Sequence, residues 1–234
     1  MNKILFTLAA AALITGAAAV SNDADAAAPR SLTVSGSATV SVLPDTATLY
    51  VIVESEGKDA AQAARDNAAR TDKVWTAVTA AGADREASAT AGYNLWPEYE
   101  AGKPGTIKTY RVTNGLKVVT HDLSAAGKIS DAALKAGASR IQSVQFSLEK
   151  EEQYQTAALS RAASEARKKA DIIAQSLGTS VTGVLSVTAS APSSGTYRFR
   201  MMSAAMDSAG AAPTELTPEK QDITRNVTVV FQIQ

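Results

Sequence analysis

The side chains around His121 are the first candidates for chemistry. His121 is followed by Asp122 and, three residues on, by Ser124, which are the residue types of a serine hydrolase triad. A triad needs them to converge, with the serine on a strained, exposed turn, and the chain has no Gly-x-Ser-x-Gly segment to supply that turn. Asp122 also directly precedes a helical pattern, where aspartate is a preferred cap. We therefore interpret Asp122 as a helix cap and predict no catalytic residue.

An acidic cluster is the second candidate. Glu149, Glu151 and Glu152 precede a long helical pattern. Paired carboxylates can act as general acid and base or hold calcium. Acidic side chains at a helix N-terminus also complement the helix dipole, by about 0.3–1 kcal/mol each. We favour this structural role and keep a carboxylate-based enzyme site as the alternative.

The composition excludes several kinds of chemistry. The 234 residues include no cysteine and a single histidine, which removes disulfides, thiol catalysis, thiolate metal sites and multi-histidine metal sites. The 23 basic and 23 acidic residues balance, so there is no electrostatic reason to expect a nucleic-acid partner. We therefore predict no metal, no cofactor and no nucleic acid.

Two segments concentrate residue types suited to contacts with another molecule. Tyr93, Leu95 and Tyr99 fall on one face of a predicted hairpin strand, and Trp96 falls on the other face. Either this hairpin is sandwiched inside the chain, which we favour, or one face meets a partner. The second segment lies in a predicted loop, where methionines either form an adaptable, oxidisable contact surface or are simply tolerated, which we favour. Its candidate contact residues are Arg198, Phe199, Met201 and Met202.

Hydrophobic periodicity predicts the elements that must position these residues. Apolar residues that alternate with polar ones predict strands, and apolar residues at spacings of three and four predict helices. The predicted strands are 32–42, 46–56, 87–100, 107–120, 142–148, 181–189 and 223–233. The predicted helices begin near Asp59, Asp122 and Gln153 and end before Gly82, Gly137 and Gly178. These elements indicate an α+β fold, a mainly antiparallel sheet of hairpins with three helices, one of them long, packed against it.

Three finer expectations follow from the same patterns. The first two strands, joined by Leu43-Pro44-Asp45, should form an antiparallel hairpin. Gly36, inside the first strand, should mark a bulge or a close approach of backbone. Leu134 of the second helix should face inward, as should a stripe on the long helix formed by Leu159, Ala162, Ala166, Ala170, Ile173 and Leu177.

The first residues have the features of a secretory signal. Lys3 precedes an uncharged, alanine-rich run over 4–20, and Ala24-Asp25-Ala26 supplies a small-residue cleavage site. The run is too diluted by alanine for a membrane anchor. We predict that 1–26 is a signal peptide and that 27–234 is a single domain with a flexible loop at about 190–218. The mature chain should have no integral membrane span.

Several segments, taken in order, resemble a known family of exported bacterial proteins. The resemblance extends from about Arg30 to the end of the chain, and the ordered set is more specific than any one motif. The segments are 32–38, 40–47, 92–95, 110–114, 131–138, 166–170 and 227–231. The sequence is therefore similar to the SIMPL-domain family, whose members are described as periplasmic immunogenic or oxidative-stress defence proteins. The resemblance implies an α+β domain and a compartment, and it carries over no catalytic residue.

The sequence predicts an exported, non-enzymatic binding or scaffold protein, and the resemblance implies a bacterial cell envelope and an association with oxidative or envelope stress tolerance. We expect it in the periplasm, either free or peripheral to the outer membrane. The expected partners are further copies of the chain and an envelope protein. The alternatives are a periplasmic enzyme with an unrecognised carboxylate-based site, and soluble subunits that assemble into a ring or channel-like structure.

Overall fold

The computed structural model describes residues 29–190 and 214–234. Within these residues the chain forms seven β-strands in two antiparallel sheets, and three α-helices pack against them. The predicted α+β class is confirmed, with one long helix among the three. The predicted signal peptide, and most of the predicted loop that follows residue 190, lie outside the described residues.

The strands and helices occur where periodicity predicts them, within a few residues at each end. The strands are β1 (Ser31–Val42), β2 (Thr46–Gly57), β3 (Asp84–Tyr99), β4 (Ile107–Thr120), β5 (Arg140–Ser147), β6 (Val181–Ala189) and β7 (Gln221–Ile233). The helices are α1 (Ala60–Ala80), α2 (Ala126–Lys135) and α3 (Glu151–Ser176).

The strands are divided between two sheets, and the expected β1–β2 hairpin is wrong. The first sheet has the order β3-β4-β2-β5, and the second has the order β1-β7-β6. β1 pairs with β7 along its whole length, whereas β2 lies between β4 and β5. The segment between β1 and β2 crosses from one sheet to the other, because Asp45 donates its N–H to the carbonyl of Ser147 at the end of β5, at 3.1 Å.

The first sheet is covered on one face by α1 and α2. Leu49, Val51 and Val53 of the central strand β2 are fully buried against Val74 of α1 and Ile129 of α2. β2 is buried on both faces over most of its length, whereas β1 has only one buried face. β2 has β4 on one side and β5 on the other, so it lies in the interior of the sheet.

The second sheet is covered by α3 through a stripe of alanines. Ala162, Ala166 and Ala170 are fully buried, as predicted. The prediction is wrong for Ile173 and Leu177, which are exposed by 38% and 69%, because Ala174 continues the buried stripe at the C-terminal end. Leu134 of α2, predicted to face inward, is likewise exposed. The buried face of that helix includes Ile129 and Ala133 instead.

The close approach predicted at Gly36 is confirmed. A Cβ atom at Gly36 would overlap the carbonyl oxygen of Ala162 and lie 2.6 Å from the backbone nitrogen of Ala166. The backbone of α3 therefore rests directly on β1, which only a glycine in the strand and alanines in the helix allow.

Candidate functional site

We call residues 92–112 of the β3–β4 hairpin the arm. Its base, in which Pro97 lies opposite Tyr110, is still paired with β2 through β4 and includes the fully buried Val112. Its tip extends beyond β2. β2 ends at Gly57, opposite Tyr110, so the hairpin beyond this point has only two strands. The arm ends in a turn in which Gly102 and Gly105 have φ angles of +79° and +81°. L-residues rarely adopt this conformation, so the two glycines explain why the chain reverses here.

The arm carries large apolar side chains on both faces. Leu95 lies opposite Val112 and Trp96 lies opposite Arg111, and successive residues of a strand point to opposite faces. The sandwiched arrangement that we favoured is wrong for the described part of the chain. β3 is an edge strand, and the helices bury β2 and β4 rather than the distal part of β3. The exposed fractions are 51% for Tyr93, 37% for Leu95, 40% for Trp96, 59% for Tyr99 and 42% for Ile107.

Arg111 joins three strands at the base of the arm. Its guanidinium contacts Glu98 of β3 through Nε, Glu56 of β2 at 2.6 Å and Glu54 of β2 at 3.7 Å. The hydrogen bond with Arg111 lowers the pKa of Glu98 below its ordinary range, and the same bond raises the pKa of Arg111. Arg111, Glu54, Glu56 and Glu98, which we call the Arg111 cluster, thus link β3 to β4 and β2 at the base of the arm.

Sequence reasoning did not identify the Arg111 cluster. Arg111, Glu98 and Glu56 are far apart along the chain and follow no recognisable motif. They meet because Arg111 lies directly opposite Trp96 on one side and Glu56 on the other. The information that could have predicted this cluster is the pairing register of β4 with β3 and β2. Hydrophobic periodicity alone does not give that register.

The structure does not bring the triad residues together. His121 Nδ1 lies 3.3 Å from the hydroxyl of Thr46, and its Nε2 lies 3.8 Å from the carboxylate of Asp84. Ser124 instead donates its hydroxyl to Asp122 at 2.6 Å and its N–H to the same carboxylate at 3.0 Å. These bonds lower the pKa of Asp122. The interpretation of Asp122 as a helix cap is confirmed, and the cap begins a short 3₁₀ turn that leads into α2.

The acidic cluster occupies the start of α3. Glu151 and Glu152 lie in its first turn, where their charges complement the helix dipole. Glu151 accepts a hydrogen bond from the Gln155 amide at 2.8 Å, and the backbone N–H of Glu149 donates to Asp45 at 2.7 Å. Within residues 29–190 and 214–234, no three acidic or histidine side chains are positioned to share a metal ion.

The candidate contact residues therefore divide into two groups. Tyr93, Trp96 and Tyr99 all lie on the arm and are exposed, with Trp96 on the face opposite the two tyrosines. The others, Arg198, Phe199, Met201 and Met202, lie outside the described residues.

None of the helices in the described ranges has the length and hydropathy needed to cross a membrane.

Fold and arm together define a two-sheet α+β protein with an exposed aromatic hairpin. Residues 32–231 match the family model SIMPL, described as a protein of unknown function (DUF541). The chain belongs to the SIMPL family.

Curated relatives carry no more specific description. An "Uncharacterized protein YggE" of Edwardsiella ictaluri (strain 93-146) is 31% identical over 237 residues, covering 100% of this chain and 99% of the relative. An "Uncharacterized protein YggE" of Escherichia coli (strain K12) is 30% identical over 184 residues, covering 76% of this chain and 74% of the relative. The protein of that name from Shigella flexneri has the same identity and coverage.

Proposed function

We propose that this protein is an exported, non-enzymatic scaffold of the bacterial cell envelope whose mature chains associate through the arm. Its place of action is the periplasm, where it supports oxidative or envelope stress tolerance. The signal-like run over 4–20 supports the compartment. The role in stress tolerance is supported by the family resemblance, and the absence of cysteine means that it does not depend on a thiol.

The exposed apolar arm is the observation that carries the proposal. Tyr93, Trp96 and Tyr99 are each at least 40% exposed in the single chain. Soluble proteins rarely leave large apolar patches uncovered unless the patch is an interaction site. Tyrosine and tryptophan are enriched at protein interfaces because they combine a large apolar ring with a polar group.

The arm suits a second copy of the chain as its partner. Its charged residues include both signs, and the acid nearest the aromatic residues, Glu98, is already paired with Arg111. Lys103 and Glu100 form a further pair at the turn, at 2.9 Å. Two arms can therefore approach without strong like-charge repulsion. A head-to-tail contact whose rotation closes would instead give a ring or channel-like assembly. An envelope protein is the other partner that the arm could receive.

The environments of the candidate chemical residues support a non-enzymatic role. Asp122 caps a helical turn, and Glu151 holds the side chain of Gln155. These are structural tasks, and neither side chain is aimed at a shared reaction centre with His121. Steady turnover of a substrate that is lost when Glu149 or Glu152 is replaced would contradict this part of the proposal and favour the enzyme alternative.

A photo-crosslinking residue at position 99 tests the proposal. Incorporated in place of Tyr99 in the purified mature chain, it should give an adduct of twice the chain mass on irradiation. The control places the same residue at Gln175, which is exposed on α3 and should give no adduct. Absence of the adduct from position 99, or equal yields from both positions, would contradict association through the arm.

A further inference from the structure

The two edges of the second sheet differ in how well they are protected against another strand. At the β1 edge, the N–H of Ser37 donates to Glu165 at 2.6 Å, and the carbonyl of Ser35 accepts from Lys169 at 3.4 Å. Glu165 and Lys169 are themselves paired at 2.8 Å. The outward backbone groups of Ser35 and Ser37 are thus occupied by side chains of α3, so the middle of the β1 edge is blocked.

The opposite edge, formed by β6, has no comparable protection among the described residues. β6 contains no charged residue and no proline, which block many edge strands, and its bulges are confined to the residues before Ser186. Ser190 donates its N–H to Asn226 of β7 at 3.0 Å, so alternation directs the backbone N–H and C=O groups of Val187 and Ala189 away from β7. The large apolar side chains of this strand are exposed by 55% at Val184, 45% at Leu185 and 59% at Val187.

We infer that β6 pairs antiparallel with β6 of a second copy across a two-fold axis, joining the two three-stranded sheets into one of six strands. An extended backbone can replace the water that hydrates the outward N–H and C=O groups of an exposed edge, and it pairs with all of them in register. The block in the middle of the β1 edge disfavours head-to-tail pairing of β6 with β1, so the isologous contact is favoured.

The residues of β6 match themselves under this symmetry. The register of β6 with β7 is irregular before Ser186 and regular from Ser186 to Ala189. A two-fold axis at Val187 sets this residue against its own copy, and the pair exchanges two backbone hydrogen bonds. The same axis places the hydroxyl of Ser186 in one copy opposite the hydroxyl of Thr188 in the other copy. Because the strand carries no charge, the pairing incurs no like-charge repulsion.

The size of the contact predicts a weak, concentration-dependent dimer. One pair of short strands buries less than the about 1,200 Å² at which standard protein interfaces begin. The β6 contact lies in the second sheet and the arm in the first, so it is independent of the association proposed above. Both contacts together would cross-connect copies and strengthen the assembly through effective concentration.

The test compares two substitutions at one residue in a chain whose arm has been disabled. Trp96→Ser with Tyr99→Ser removes the exposed aromatic contacts of the arm. In this background Val187→Pro deletes the outward N–H but keeps the hydrogen bonds to β7, and edge strands tolerate proline at such positions. Val187→Ala, the matched control, shortens the side chain and retains the N–H.

Sedimentation equilibrium at several protein concentrations, with circular dichroism to verify folding, gives the outcome. The arm-disabled chain should form a dimer, and Val187→Pro should raise its dissociation constant by about tenfold or more, as loss of two hydrogen bonds predicts. Val187→Ala should change it less than about threefold. Equal weakening by both substitutions, or a monomer before position 187 is changed, would overturn strand pairing. Neither of these two results would test association through the arm. That association is tested separately, by whether Trp96→Ser with Tyr99→Ser lowers the mass of the assembly formed by the wild-type chain.

Discussion

At the residue scale, the stability of the second sheet depends on the small size of one strand residue. Gly36 has no positive φ angle, so its role is spatial rather than conformational. The backbone atoms of Ala162 and Ala166 occupy the volume that a Cβ at Gly36 would need. Backbone atoms cannot move aside as the end of a flexible side chain can, so any larger residue must push α3 away from the sheet.

Gly36→Ala should therefore lower the free energy of unfolding by about 1–3 kcal/mol or more, the cost of overpacking a core. Chemical denaturation with urea measures the change. Gly92→Ala is the matched control, because it is also a strand glycine and a Cβ there would have nothing within 4 Å. We expect it to change stability by about 0.5 kcal/mol at most. Equal effects of the two substitutions would contradict the close approach of α3 to Gly36.

Local chemistry made some residues predictable and others not. The cap at Asp122 and the close approach at Gly36 follow from properties of single residues in a known local pattern, and both are confirmed. The buried stripe of α3 was predictable only in its middle. Whether Ile173 and Leu177 are buried depends on the angle at which the helix crosses the sheet, which the sequence pattern does not give. The Arg111 cluster needed the strand register, which no local pattern contains.

At the element scale, periodicity predicted the strands better than it predicted their partners. The bounds of β4 were predicted without error, and its hairpin with β3 forms as expected. The β1–β2 hairpin does not form, because the short link ending at Asp45 is tied to β5. A short connection between two strands indicates a hairpin only when both strands belong to the same sheet. The chain does not reveal that by periodicity alone.

The orientation of the arm should depend on pH through Glu98. Its folded-state pKa is lowered, chiefly by the hydrogen bond with Arg111, so the stabilisation is complete above the ordinary glutamate pKa of about 4.3. It is lost as the pH falls through the lowered value. The indole N–H resonance of Trp96, directly opposite Arg111, should report this loss in an NMR titration, with Trp75 as the internal reference.

Glu98→Gln supplies the control for this titration. Glutamine does not titrate, so the change at Trp96 should disappear in the variant while the signal of Trp75 remains as in the wild type. A transition in the wild type centred at or above about 4.3, the ordinary glutamate value, would be inconsistent with the Arg111 cluster.

At the scale of the whole molecule, the two sheets have separate cores and separate exposed features. The first core lies between β2, β4, α1 and α2, and the second lies between β1, β7 and α3. The first sheet extends into the arm, whereas the second ends in the open edge of β6. Each sheet thus has its own exposed apolar feature, the arm in the first and the β6 edge in the second.

The mass of residues 27–234, which we propose as the mature chain, is the most direct test of association through the arm. Light scattering over a range of protein concentrations should give a stable multiple of the chain mass for the wild type. Trp96→Ser with Tyr99→Ser, which changes only exposed side chains, should give a lower mass with an unchanged circular dichroism spectrum. A wild-type monomer at every concentration, or an assembly whose mass is the same in the variant, would contradict the account.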